Sequence, residues 1–199
     1  MSKSQVFLNR KVTLGLNLGC GYGGTCFREP YINLDYDRKK NEESWKRKKK
    51  PSKPPIIFII ADVQKLPFRD GVFDEVYASA ILEHFNHFFT VSILKEWKRV
   101  LKPNGKIKVC VPDFQEVIRR YYEKKTIHAR WFAPDGIPTL LHGPSQENSQ
   151  HAGHKVIFDE ELLRYMLEQA GYRNINKSRI HSCPYQTIKS DEICMEANK

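Results

Sequence analysis

The sequence predicts an α/β fold built on an open, mostly parallel sheet, and three observations predict it. Short, nearly unbroken apolar segments recur along the chain, as in strands covered on both faces. Segments of helical period lie between them. The first strand runs into a cluster of glycines, LNLGCGYGG at residues 16–24. Glycine weakens a strand and loses the most entropy on ordering, so its placement there implies that something approaches bare backbone.

The elements follow in order. KVTLGLNLG (11–19) reads as a buried strand, YINLDY (31–36) as a second, PIIFIIAD (55–62) as a third, FDEVYAS (73–79) as a fourth and KIKVCVPD (106–113) as a fifth. In TVSILKEWKRVLK, residues Ile93, Leu94, Trp97, Val100 and Leu101 recur at spacings of three and four, and Pro103-Asn104-Gly105 ends the run, so this segment is a helix. FQEVIRRYYEKK (114–125) is a second helical segment. DEELLRYMLEQAG (159–171) is the clearest, with Asp159 as N-cap, Glu160 and Glu161 in the first turn and Gly171 just past the end. Its apolar face is Leu162, Leu163, Met166, Leu167 and Ala170. YRNINKSRI and DEICMEANK then read as two strands that close the sheet. Residues 126–157 fit neither period, and long irregular stretches of this kind are often functional.

The 199 residues suit one domain, 1–199, able to bury a core without staples. The net charge of +10 is localised: RKKNEESWKRKKKPSKPP at 38–55 carries nine Lys/Arg against two Glu, hence seven of the ten charges. This inserted basic loop reads as a solvated run, with an arm for nucleic acid or an acidic partner as the alternative. The five cysteines are odd in number, irregularly spaced and without a CxxC pair, which argues against a disulfide framework or a structural zinc site and for a reducing, cytoplasmic setting. The first residues, MSKSQVFLNRKV, lack the apolar region of a signal peptide, and the longest apolar run, IIFIIA at 56–61, is far shorter than a membrane span.

In an open parallel sheet, ligands bind outside the carboxyl ends of the strands. Gly19-x-Gly21-x-x-Gly24 with Asp35 at the end of the second strand matches a nucleotide-binding pattern whose carboxylate accepts ribose hydroxyls. The eight residues from Gly24 to Tyr31, GTCFREPY, are too few for a good crossover helix to hold a pyrophosphate. On the residues alone a nicotinamide- or nucleotide-binding oxidoreductase stays open, as does a non-catalytic binding module with a basic arm.

The order LNLGCGYGG … NLDYD … ADVQKLPFRDGVFDEVYASAILEHF … EWKRVLKPNGKIKVCVPD resembles the class I S-adenosylmethionine-dependent methyltransferases over most of residues 12–113, and the last helix and two strands suit that family's usual ending. The resemblance implies a Rossmann-like, seven-stranded sheet with an antiparallel C-terminal strand and helices on both faces. It implies S-adenosyl-L-methionine as cofactor, its methionine part held by Leu18, Gly19, Cys20, Gly21 and Gly23. Asp35 and Tyr36 would meet the ribose, Asp62 and Val63 the adenine, and Ser79 the region of the reactive methyl. Leu66-Pro67-Phe68 looks like the segment that follows the adenine site in small-molecule members, and HKVIFDEELL (154–163) resembles an element near the last helix of one subset. The Asn/Asp-Pro-Pro-aromatic motif of amino-directed base methyltransferases is replaced by SAIL after strand four, so a small or sugar-like acceptor is the expectation.

Transfer to a hydroxyl or amine is helped by a nearby base, and histidine is the usual one. His84, just past strand four, and His154, just before the last helix, are the candidate catalytic residues. His142, His151 and His154 also offer imidazoles to a metal, but no carboxylate or thiolate accompanies them at ligand spacing, so no metal site is expected.

Overall fold

The computed structural model describes residues 14–20, 30–36, 57–123, 153–178 and 192–199, Arg120 in its backbone alone. Gly21, Gly23, His142, His151, the basic run 38–55 and all of 126–157 before Gly153 lie outside the described residues.

Seven strands form one sheet: β1 (Gly15–Leu18), β2 (Tyr31–Asp35), β3 (Ile57–Ile60), β4 (Phe73–Ser79), β5 (Leu101–Pro112), β6 (Arg173–Lys177) and β7 (Glu192–Asn198). Their order is β3-β2-β1-β4-β5-β7-β6. β1 to β5 are mutually parallel, and β7 is antiparallel to both its neighbours, as the resemblance implied. The chain leaves β1 in one direction through β2 and β3 and returns on the other side with β4 and β5. This places a topological switch point, and hence a crevice, at the carboxyl ends of β1 and β4.

The two sheet faces differ in chemistry. On one, Leu16, Leu18, Leu34, Val76, Ile107, Val109 and Met195 pack with Ile93, Leu94 and Trp97 of helix α1 (His87–Val100) and Leu163 and Leu167 of helix α3 (Glu160–Gln169). Each such side chain contributes about 1.5–3 kcal/mol on burial. On the other face, Asn17 Nδ2 donates to Asn33 Oδ1 (2.9 Å), and Tyr31 Oη donates to Glu75 Oε1 (2.9 Å). Burial, with the Glu75 carboxylate beside it, pushes the Tyr31 phenol well above its ordinary range. Asn17 and Asn33 are fully buried, so the pair is a polar interior held by matched amides.

Element ends follow local chemistry. α3 begins where Asp159 Oδ1 accepts from Leu162 N (2.8 Å). It ends in a Schellman motif: Gly171, at φ +83°, donates to Glu168 O, and Tyr172 N donates to Leu167 O (3.0 Å). α1 starts three residues before the predicted run, capped by Asn86 Oδ1 accepting from Phe88 N (3.1 Å). Phe88 and Phe89 in its first turn are exposed and so interrupt the apolar period that marks the rest. β5 starts at Leu101 rather than 106, because Leu101 already pairs with Phe73 before Pro103-Asn104-Gly105 shifts the register. Helix α2 (Phe114–Tyr122) is capped by Asp113.

One expectation is corrected. Cys110 and Cys194 form a disulfide, although the cysteine pattern argued for reduced thiols. The two stand directly opposite each other in the β5–β7 ladder across 84 residues of sequence, a juxtaposition that only the register creates. Cys20 is buried and lies outside this pair. Among the described residues no helix is long and apolar enough to cross a membrane.

Candidate functional site at the carboxyl ends of the parallel strands

The loop after β1 leaves the sheet at Gly19, whose φ is +61°. Gly19 N and Cys20 N both donate to Leu34 O (2.9 and 3.3 Å), which folds the loop over the end of β2. A Cβ on Gly19 would lie 2.3 Å from Ile81 Cδ1 in the loop after β4. Glycine is therefore required at this position both by backbone conformation and by close approach across the switch point. Leu18 and Cys20 are buried beside it.

Asp35 ends β2, and its Oδ1 accepts from Tyr36 N (2.7 Å); Tyr36 itself is exposed. Asp62 follows β3 and makes an Asx turn, Oδ1 accepting from Gln64 N (2.8 Å). Val63 is buried, and its carbonyl accepts from Trp97 Nε1 (2.9 Å), so α1 fixes this loop from the core side. The rest of the loop is clamped by Arg99, which pairs with both Glu96 and Asp70. Arg99 Nη2 donates to Glu96 Oε1 (2.8 Å) and to Leu66 O (3.2 Å), Arg99 Nη1 donates to Phe68 O (2.8 Å), and Leu66 N donates to Glu96 Oε1 (2.8 Å). Hydrogen bonding to Arg99, opposed by partial burial and helped by Leu66 N, holds the Glu96 carboxyl below its ordinary value.

β4 ends at half-buried Ser79, and Ala80 turns the chain with φ +52°. A left-handed alanine costs about 1–2 kcal/mol. Its effect is to swing the chain into a 3-10 turn, Leu82–His84. Glu83 of that turn is buried, with 2% of its side chain exposed, and its Oε1 lies 3.9 Å from His154 Nε2. The His84 and His154 rings meet edge to face, with centroids 5.0 Å apart.

His154 reaches this place through backbone pairing. Lys155 N and Val156 N donate to Glu83 O (2.7 and 3.2 Å). His84 Nδ1 is 3.0 Å from Gly153 O. A carbonyl only accepts, so Nδ1 carries the proton and Nε2 the lone pair. Buried Val156 and Phe158 anchor the strap, and Phe114 N donates to Phe158 O (2.9 Å).

The structure thus gathers His84 and His154, and adds Glu83, which the sequence reading passed over although it stands in the same LEHF. One nitrogen or oxygen from each of the three lies within 4.8 Å of the others. No carboxylate accompanies the histidines at ligand spacing in the sequence; the fold brings Glu83, 71 positions before His154, to its side. Gly19, Asp35, Asp62 and Ser79 stand at the carboxyl ends of four neighbouring strands, β1 to β4, on the rim of the same crevice.

The family model described as a methyltransferase domain matches residues 16–109. An uncharacterized protein of Methanocaldococcus jannaschii is 31% identical over 118 residues, 57% of this chain and 47% of that one. Sterol 4-C-methyltransferase strm-1 of Caenorhabditis elegans is 37% identical over 86 residues, 41% of this chain and 24% of that one. A demethylmenaquinone methyltransferase of Staphylococcus haemolyticus is 29% identical over 129 residues, 64% and 51%. The chain spans about half the length of the curated relatives it matches first, 47% and 58%. Among solved structures, a SAM-dependent methyltransferase of Archaeoglobus fulgidus superposes with a TM-score of 0.56 at 16% identity, covering 93% of this chain and 85% of that one, a likeness of fold. The PH0226 protein of Pyrococcus horikoshii gives 0.60 at 19% identity, covering 94% and 82%. Over residues 16–109 the chain matches the methyltransferase-domain family, and its fold as a whole is that of solved S-adenosylmethionine-dependent methyltransferases.

Proposed function

We propose that this chain transfers a methyl group from S-adenosylmethionine to a small-molecule acceptor, and that Glu83, His84 and His154 handle the acceptor. The observation that carries this reading is the meeting of two imidazoles and a buried carboxylate beside the end of β4, at the crevice where an open sheet binds its ligand. The relatives' names include sterol and ubiquinone/menaquinone C-methyltransferases, which favours a small organic acceptor over a macromolecule.

When bound, the cofactor supplies a methyl group on a sulfonium, a leaving group reactive enough that alignment is most of the protein's task. Leu18, Gly19, Cys20, Gly21 and Gly23 would cradle its methionine part, Asp35 and Tyr36 the ribose, Asp62 and Val63 the adenine, and Ser79 would border the methyl. Asp35 and Asp62 suit hydroxyl and amino donors because an ionised carboxylate only accepts. His84 presents its Nε2 lone pair with the ring oriented by Gly153 O. That atom can take the acceptor's proton, while His154 and Glu83 hold the ring's other neighbours in place.

The test is calorimetry with S-adenosylhomocysteine against NAD on the full chain. S-adenosylhomocysteine binds and NAD does not. Asp35→Ala weakens binding by roughly 1–3 kcal/mol, the scale of hydrogen bonds involving a charged group. Binding of NAD alone sinks the reading.

A further inference from the structure

We propose that Glu83, His84 and His154 form a binding site for one divalent transition-metal cation. The proposal rests on the reading above only for the site's position in the crevice; with the ion bound, His84 Nε2 is a ligand and no longer the base of that reading.

The donors are the first argument. Two imidazoles and one carboxylate are a ligand set of catalytic zinc and of non-haem iron, whereas magnesium and calcium prefer oxygen throughout. The three groups offer one negative charge, so a divalent ion leaves the site at a net charge of +1. Three protein ligands also leave coordination positions for water or for an acceptor oxygen.

Geometry is the second. Three atoms no more than 4.8 Å apart share a point within about 2.8 Å of each, 4.8/√3. Bonds from a metal to nitrogen or oxygen run about 2.0–2.2 Å, so each donor moves inward by under about 1 Å. Glu83 Oε1 and His154 Nε2 stand 3.9 Å apart, beyond a hydrogen bond and a few tenths of an ångström wider than the ~3.3–3.6 Å between two donors on a tetrahedral ion with such bonds.

Preorganisation is the third. A metal-bound histidine almost always donates its other ring N–H to a carbonyl or carboxylate, and His84 Nδ1 meets Gly153 O at 3.0 Å. The turn and the strap that carry the ligands are themselves paired, Lys155 N and Val156 N to Glu83 O. The site is also shielded: 10% of the His154 side chain and 2% of the Glu83 side chain are exposed.

The experiment uses the chelator-treated 199-residue chain titrated with Co²⁺ and Zn²⁺, followed by calorimetry and by the visible absorption of cobalt, with no cofactor or acceptor present. Wild type takes up one equivalent and develops cobalt ligand-field bands. Glu83→Gln and His154→Ala each weaken binding by roughly 100-fold or more, beyond the 10–100-fold that outer-shell changes cost. His87→Ala, an exposed histidine on α1, leaves it unchanged. Absence of bands in wild type overturns the proposal without any variant. So do bands that persist in both Glu83→Gln and His154→Ala, which would put the metal elsewhere, for instance on His142 and His151. S-adenosylhomocysteine binding measured on the same samples separates this proposal from the methyltransferase reading, because either result can fail without the other.

Discussion

Ile81 Cδ1 stands 2.3 Å from the place a Cβ on Gly19 would occupy, so the loops after β1 and β4 touch across the switch point. Gly19→Ala meets two costs: roughly 1–2 kcal/mol for a left-handed alanine, and about 1–3 kcal/mol for overpacking against Ile81. Urea unfolding should show a loss of about 2–5 kcal/mol. Ile81→Ala in the same chain removes the Cδ1 and Cγ1 contacts, leaving the Cβ contact at 2.9 Å and the backbone cost. The double variant should therefore be more stable than the sum of the two single losses predicts, and strict additivity would mean the contact is absent.

Much of this frame is legible in the sequence because it depends on local periods. The alternation of strands and helices gives the sheet, and α3 is readable to its caps, since Asp159 and Gly171 are chosen by backbone chemistry a few residues wide. What escapes depends on register or on distant chain. Cys110 and Cys194 look unrelated until β5 and β7 pair antiparallel with those two residues opposed. Glu83 reads as an ordinary helix-turn acid until the strap at 153–156 covers it. Asn17 and Asn33 break the apolar strands for a reason visible only in three dimensions: they share one sheet face and bond to each other. Phe88 and Phe89 hide the start of α1 because their rings face solvent.

The Glu96–Arg99 pair should make the loop at 66–70 sensitive to acid. The folded-state pKa of Glu96 lies below its ordinary 4.5. Its contribution to stability is therefore complete above pH 4.5 and is lost as pH falls through the lower folded value. Glu96→Gln should cost about 1–2 kcal/mol near neutrality, a discounted figure for a partly exposed charge-assisted network. Unfolding curves of wild type and variant should converge as pH falls below 4.5. A gap that stays constant with pH would mean that Glu96 acts by packing rather than by charge.

The disulfide joins the central sheet to its antiparallel strand. Closing a loop across 84 residues restricts the unfolded chain, and native bonds of this kind typically contribute roughly 2–4 kcal/mol. Reduction with dithiothreitol, or Cys194→Ala, should lower the melting temperature by several degrees. Cys20→Ser, at a cysteine outside the Cys110–Cys194 pair, should leave the response to reductant as in wild type. An identical melting temperature with and without reductant, in protein whose thiols are shown by titration to have been oxidised at the start, would remove the stabilising role.

His84 and His154 give the most direct test of the chemistry. Their rings sit 5.0 Å apart at the end of β4, one on the 3-10 turn and one on the strap that pairs with it. If they handle the acceptor, losing either should lower turnover roughly 10²–10⁴-fold while S-adenosylhomocysteine still binds, because the expected cofactor contacts come from the ends of β1 to β4 and not from the 3-10 turn or the strap. His84→Asn separates position from chemistry. An asparagine amide can still donate toward Gly153 O and hold the strap, but it brings no imidazole lone pair to the acceptor. Turnover on an identified acceptor should then fall nearly as far in His84→Asn as in His84→Ala, with the melting temperature preserved in His84→Asn alone. Recovery of turnover along with stability in His84→Asn would make His84 a strap holder, and leave alignment as the protein's contribution to the transfer.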